Sequence, residues 1–340
     1  MLITMSEFTS TQIQLASRPT GWPTAENFDV TTTSYGPLEA GQVRVKNEFI
    51  SVDPYMRGRM SAARSYVAPY EIGGPITGGA VGRVVESASD ELPVGAVVLH
   101  QHGWSDTIQD DATTFNQIPE VPGMPLSLRL HILGMTGLTA YVGLTQIASM
   151  KPGDTVFISG AAGAVGTAAG QIAKLLGAKR VIGSAGSAEK VELLTSKYGY
   201  DAAFNYKDGD VRGQLAAAAP EGIDVFFDNV GGEHLEAALA SFNNGGRAAL
   251  CGAISGYNST QKLAGPDNMA NLITRGLKLQ GFTLSSYLHL SEEFGAKMGE
   301  WFASGKIAYD ETIVDGIENT VEAFLNMMQG ANTGKMLVRI

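Results

Sequence analysis

Gly160, Gly163 and Gly166 follow Thr155-Val156-Phe157-Ile158-Ser159, a β-branched and aromatic run, and lead into an apolar stretch from Ala164 to Leu176. A strand that ends in such a turn and opens a helix brings backbone N–H groups and the positive end of the helix toward a phosphate. Small residues at Ala161, Ala162 and Ala164 leave room for that approach. In a dinucleotide-binding βαβ unit, the second strand normally ends in an acid about 20 residues after the glycine turn, where it holds the adenosine ribose. Here that end reads Gly183-Ser184-Ala185-Gly186-Ser187, and the first acid is Glu189, followed at once by Lys190. A carboxylate would repel a 2′-phosphate, whereas small residues give room, serines give hydroxyls and Lys190 gives a cation. The pattern therefore predicts NADPH over NADH, with Gly163, Gly186 and Lys190 in contact with it.

The elements around this turn form two textures. The first 125 residues or so read as short strands with turn punctuation: "QVRVKNEFISV" (42–52), "AVGRVVES" (80–87) and "GAVVLH" (95–100) lie among glycines and prolines. From Leu128 onward apolar residues fall at helical spacing, and strands then alternate with helices to about residue 285, as a parallel sheet with crossover helices requires. Strands are expected at 155–159, 180–184, 224–228, 247–252 and 278–283, and helices near 164–176, 188–198, 232–241 and 268–275. The tail gives a short strand, a helix at about 317–329 and a last strand, "KMLVRI". The fold class is α/β.

Several stretches in order, "SVDPYMRGRM" (51–60), "GMTGLTAYVGL" (134–144), "SGAAGAVGTAAGQIAKLLG" (159–177), "DVFFDNVGG" (224–232) and "CGAISGYN" (251–258), resemble the zinc-independent medium-chain reductases of enone double bonds. That family holds the prostaglandin, alkenal double-bond and curcumin reductases, and the likeness runs from about residue 12 to the C-terminus. The resemblance implies a GroES-like β domain from 1–127 and 305–340, a Rossmann NADPH-binding domain from 128–304, and a homodimer. It implies cofactor contacts at Ala164, Val165, Gly166 and Thr167, at Lys190 and Tyr206 around the 2′-phosphate, and at Asn229 near the nicotinamide half. Cys251, Gly252, Ala253, Ile254, Ser255 and Tyr257 match a segment lining the cofactor, Phe282, Thr283 and Leu284 a further backbone stretch, and Asn332 the asparagine of "GANTGK". Ala188 stands where family members often carry a charge.

Reducing an α,β-unsaturated carbonyl moves a hydride to the β-carbon and places negative charge on the carbonyl oxygen. That oxygen needs a donor, and no strong base is required. A phenol is protonated at neutral pH and held on a rigid ring. Tyr257 is the first candidate, since it follows the "CGAIS" strand end where Rossmann loops meet the nicotinamide. Tyr55 in "DPYM" is the second, expected to project from the β domain toward an interdomain cleft. Asp53 is read as orienting its turn, Arg57 as holding that loop or the cofactor, and Met56, Met60, Met124 and Met135 as core filler or as the pliable wall of an apolar pocket. The α-carbon proton comes from Tyr257 or from water. A quinone reductase of the same superfamily and a non-catalytic NADPH-binding sensor are the rival readings, the latter disfavoured by the presence of both tyrosines.

Composition narrows the rest. A chain of 340 residues, 44% hydrophobic and 17% charged, can bury a sizeable core. A net charge of -10 disfavours nucleic acid and anionic membranes as partners. Cys251 is the only cysteine, which rules out an internal disulfide and the four-cysteine lobe of the zinc alcohol dehydrogenases. His100 and His102 lack a third ligand and are read as packed or surface histidines, so no metal is expected. Met1 to Met5 lacks the basic region and apolar run of a signal peptide, and no apolar stretch is long enough to span a bilayer. These features predict a cytoplasmic protein, and the resemblance implies that it acts on a small enal or enone.

Overall fold

The computed structural model describes residues 8–340; residues 1–7, including the Met1 to Met5 stretch read above, lie outside the described residues. The chain divides into two compact units, one running to Leu130 and resuming at Glu311–Asn332 and Met336–Ile340, the other holding His131–Asp310 and Thr333–Lys335.

In the first unit, β1 (Phe8–Leu15) and β2 (Phe28–Tyr35) form an antiparallel pair. β3 (Gln42–Ser51) is followed by a short helix, α1 (Tyr55–Arg59), and then by β4 (Ala80–Ser87), β5 (Val97–His100), β6 (Thr107–Asp111) and β7 (Asn116–Gln117). β3, β4, β5 and β7 lie side by side, and β6 pairs with β3. Val43, Val45, Val84 and Val98 face inward with Ile108 and Phe115, the half-buried pattern that alternating strands produce.

The second unit runs α2 (Met135–Val142), β8 (Thr155–Ile158), α3 (Ala164–Leu175), β9 (Arg180–Ala185), α4 (Ala188–Ser196), β10 (Ala202–Asn205), α5 (Val211–Ala218), β11 (Ile223–Asp228), α6 (Glu233–Ser241), β12 (Phe242–Leu250), α7 (Asn271–Thr274), β13 (Lys278–Gly281) and α8 (Ser291–Ala303). Its strands form a parallel sheet in the order β10-β9-β8-β11-β12-β13. All four residues of β8 are buried, as a strand covered on both faces must be. Phe226 enters a core with Phe157, Ile182, Phe204, Leu215 of α5 and Ala237 of α6. Its neighbour Phe227 points the opposite way, close against Gly143 just after α2. The chain then returns to the first unit as β14 (Glu311–Asp315), α9 (Thr320–Met328) and β15 (Lys335–Arg339), with Leu337 opposite Ser51 of β3.

Some elements differ from the sequence expectation. β12 starts at Phe242 rather than 247, because Asn243, Asn244, Gly245 and Gly246 carry no apolar side chain to reveal it. β10 and α5 had no expectation, being short or alanine-rich, and α7 spans only Asn271–Thr274 of the helix expected near 268–275.

Candidate functional site

The glycine turn is shaped by contact. A Cβ on Gly166 would sit 2.5 Å from the Gly160 carbonyl oxygen and 2.6 Å from the Ala161 Cα, so only glycine lets the first turn of α3 lie against the end of β8. Gly163 stands at the N-cap and offers no side-chain cap. The N–H groups of Ala164, Val165 and Gly166 therefore have no partner within the helix, while Thr167 N–H already donates to the Gly163 carbonyl at 2.9 Å. Open donors on the positive end of a helix fit an anionic group such as a pyrophosphate.

The end of β9 forms a second part. A Cβ on Gly186 would lie 3.1 Å from the Tyr206 hydroxyl, which places the phenol directly over this glycine. Ser187 caps α4 by accepting the Lys190 N–H at 3.3 Å, which fixes where the Lys190 side chain starts. Lys190 is half-buried, and its pKa is lowered, chiefly by burial and further by the Lys207 ammonium. Lys207, next to Tyr206 on a short 3-10 turn, is exposed, and its N–H donates to the Asn205 side chain at 3.1 Å. Two cations sharing one locality repel each other, and an anion between them would relieve that cost. Sequence reasoning missed Lys207, because beside Asp208 it looks like a solvated charge. Ser184, expected to offer a hydroxyl, is instead fully buried, with no hydrogen-bond partner for its Oγ. It is the register partner of Phe204 and so shares that residue's packed face of the sheet.

A third part gathers at the ends of β11 and β12. The buried Asp228 carboxylate accepts Ser159 Oγ–H at 2.8 Å and the N–H groups of Val230 and Gly231, each at 2.9 Å. Burial raises its pKa and these donors pull it back. Asn229 is fixed by its side-chain amide donating to the Ser159 carbonyl at 2.8 Å and its N–H to Ser159 Oγ at 2.9 Å. The N–H groups of Cys251 and Gly252 both donate to the Asp228 carbonyl, at 2.8 and 3.0 Å, and Ile254 N–H donates to that of Asn229. Ser255 donates through Oγ to the Val230 carbonyl at 2.6 Å. Tyr257 folds back over this loop, its hydroxyl accepting the Ala253 N–H at 3.4 Å and lying near Gly252. Its pKa is raised, first by burial and then by Cys251 and Asp228, so the phenol stays protonated. Burial, with Asp228 adding to it, pushes the Cys251 thiol up to about 12.

Phe282, Thr283 and Leu284 follow β13, and the Phe282 ring meets Tyr287 edge-on with a centroid separation of 6.4 Å. Tyr55 and Asn332 belong to the first unit. Tyr55 opens α1 with its hydroxyl near Gly78, and burial, then Asp53, raises its pKa. Asp53 accepts a short hydrogen bond from Ser51 Oγ, and Arg57 donates to the Gly21 carbonyl at 2.7 Å, consistent with loop-holding roles. Met56 and Met60 are fully buried and pack the core of that unit; Met135 is exposed and Met124 half-buried. Asn332 precedes Gly334, whose N–H donates to the Ala162 carbonyl at 2.9 Å.

Comparison with known proteins places this arrangement among oxidoreductases. Residues 11–118 match a family described as the N-terminal domain of oxidoreductase, and residues 164–304 one described as zinc-binding dehydrogenase. The NADPH-dependent curcumin reductase of Escherichia coli is 41% identical over 334 residues, covering 96% of this chain and 95% of its own length. The NADP(+)-dependent 2-alkenal reductase of Nicotiana tabacum is 39% identical over 340 residues, covering 98% of each. CurA from Vibrio vulnificus, solved in complex with NADPH, superposes with a TM-score of 0.91 at 42% identity, covering 97% of this chain and 98% of its own. The residues here do not fit a zinc ion, despite the second description. The one thiol is held protonated, and among the described residues no group of three or more His, Cys, Asp or Glu is arranged to hold a metal.

Proposed function

Because the chain belongs to the zinc-independent medium-chain dehydrogenase/reductase family, in the group of prostaglandin, 2-alkenal and curcumin reductases, we propose that it reduces the C=C bond of α,β-unsaturated aldehydes and ketones with NADPH. The observation that carries this reading is the pairing of the first turn of α3, lying against the end of β8, with the cluster of Gly186, Lys190, Tyr206 and Lys207 after β9, a strand that itself ends without an acid. Bound NADPH supplies the hydride that ends on the β-carbon. The backbone donors of α3 hold the pyrophosphate, and Lys190 with Tyr206 holds the 2′-phosphate. Asn229 and the loop from Cys251 to Ser255, locked together through Ser159 and Asp228, orient the nicotinamide end. Tyr257 donates to the carbonyl oxygen as charge develops there, since its own hydroxyl hydrogen is not used by the Ala253 N–H it accepts. Tyr55 is the second donor, and the α-carbon proton comes from Tyr257 or water.

The test is an NADPH-consumption panel of 1-octen-3-one, 4-hydroxynonenal and a quinone, with the Lys190→Ala variant alongside. Enone and enal turnover is expected, insensitive to chelators and much weaker with NADH; turnover of the quinone alone would replace this reading with a quinone reductase. Lys190→Ala should raise KM for NADPH roughly ten- to hundredfold, the loss of a charge-assisted contact of about 1.5–3 kcal/mol. Cofactor binding with no turnover across the panel would point to a sensor.

Two further properties belong to this proposal. The protein works as a homodimer, supported by the outer strand β13, whose Lys278, Gln280 and Gly281 are exposed, and by Ile273, 86% exposed nearby; light scattering that reads a single-chain mass would reject it. It acts in the cytoplasm, supported by its acidic charge and its single cysteine, and among the described residues no helix is long and apolar enough to cross a membrane. Cell fractionation that recovers it with membranes would reject that.

A further inference from the structure

The second residue of α6 is a histidine, His234, that the proposed chemistry leaves idle. The His234 side chain is buried, and burial pushes its pKa down to about 4, so the ring is neutral at physiological pH. Its Nε2 has no hydrogen-bond partner, so the ring is not held by polar contact at that atom. It is held by aromatic neighbours. His234 lies nearly parallel to Phe157, with centroids 6.4 Å apart and planes 11° apart. Phe157 in turn stacks on Phe226 at 5.0 Å and on Phe204 at 5.8 Å, so the histidine extends a ring layer anchored on three adjacent or near-adjacent strands of the sheet. The opposite neighbour of His234 is Tyr206, which it meets edge-on at 5.3 Å and 71°.

Tyr206 needs such a support. It sits on a three-residue turn after β10, is only half-buried, and its hydroxyl must lie over Gly186 to serve a 2′-phosphate. A phenol on a short surface turn has several rotamers open to it, and an edge-to-face partner favours one of them. We infer that His234 is a positioning residue for cofactor selectivity, transmitting the rigid ring layer of the sheet to Tyr206 and fixing that phenol beside Gly186 and Lys190. The inference rests on the NADPH reading above and adds to it a residue that touches no part of the phosphate.

The test measures binding of NADPH, NADH and 2′,5′-ADP, together with kcat, in the wild-type protein and in His234→Phe, His234→Leu and Tyr206→Ala. His234→Phe keeps a flat ring and should bind all three within twofold of wild type. His234→Leu fills the space without a ring edge and should weaken NADPH and 2′,5′-ADP roughly three- to tenfold, with NADH binding and kcat within twofold. Adding His234→Leu to Tyr206→Ala should cost nothing further, because the phenol it positions is gone. Equal weakening of NADH and NADPH in His234→Leu, or no weakening at all, would overturn the inference. A wild-type protein without preference for NADPH would instead overturn the cofactor reading, and this inference with it.

Discussion

At the scale of single residues, Tyr257 bears the sharpest expectation. Its raised pKa keeps the phenol protonated through pH 9, so the rate should show no ionisation from this group between pH 6 and 9. Tyr257→Phe keeps the ring over Gly252 and removes only the donor. It should lower kcat by roughly a hundredfold, the typical cost of one lost oxyanion donor, and leave KM for NADPH within twofold. An unchanged kcat would reduce Tyr257 to a wall residue and move the role to Tyr55. Lys190, Gly186 and Tyr257 could be proposed from the sequence because the signals that point to them are local: a glycine turn, a missing acid, a tyrosine after a strand end. Lys207 and His234 were not, since each gains meaning only when separate strands bring it beside Lys190 or Tyr206. Ser184 misled for the same reason, its outward or inward direction being set by its register with Phe204.

At the scale of elements, the sequence revealed those with strong local patterns. β8 is a run of β-branched and aromatic residues before glycines, and α3 starts at the expected Ala164. β10, with two alanines in four residues, has no alternation to read and is specified by its pairing with β9. Between β5 and β3, the structure adds a linkage that no pattern suggests. His100 Nε2 lies 2.8 Å from Asn47 Oδ1, while Nδ1 accepts the His102 N–H at 3.2 Å, so the neutral ring carries its proton on Nε2. Burial, with His102 adding to it, pushes the His100 pKa down to about 3. The unfolded ring binds a proton below about pH 6.5, whereas the folded ring does not until about 3. In that window the unfolded state holds more protons, so stability falls as pH drops. Urea melts at pH 7 and pH 5 should show the wild type losing about 2 kcal/mol more than His100→Gln over that interval. Parallel losses in the two proteins would contradict it.

At the scale of the whole molecule, the α/β architecture was legible because alternating strands and helices follow an all-β first third, and the chain's likeness to its relatives runs nearly end to end. The way β14 and β15 rejoin β3 rests on long-range pairing, which the tail's short strands only hinted at. One property of the entire chain follows from its single cysteine. Enals and enones are soft electrophiles that alkylate thiolates, so an enzyme that gathers them endangers its own side chains. With its thiol pushed up to about 12, Cys251 stands as the protonated thiol at pH 7. Prolonged turnover of 4-hydroxynonenal should therefore leave the intact mass free of adducts at Cys251, and rapid stoichiometric alkylation there would show the thiol to be exposed. On the proposed reading, a protonated Cys251 keeps the one thiol of a protein that reduces enals and enones from being alkylated by them.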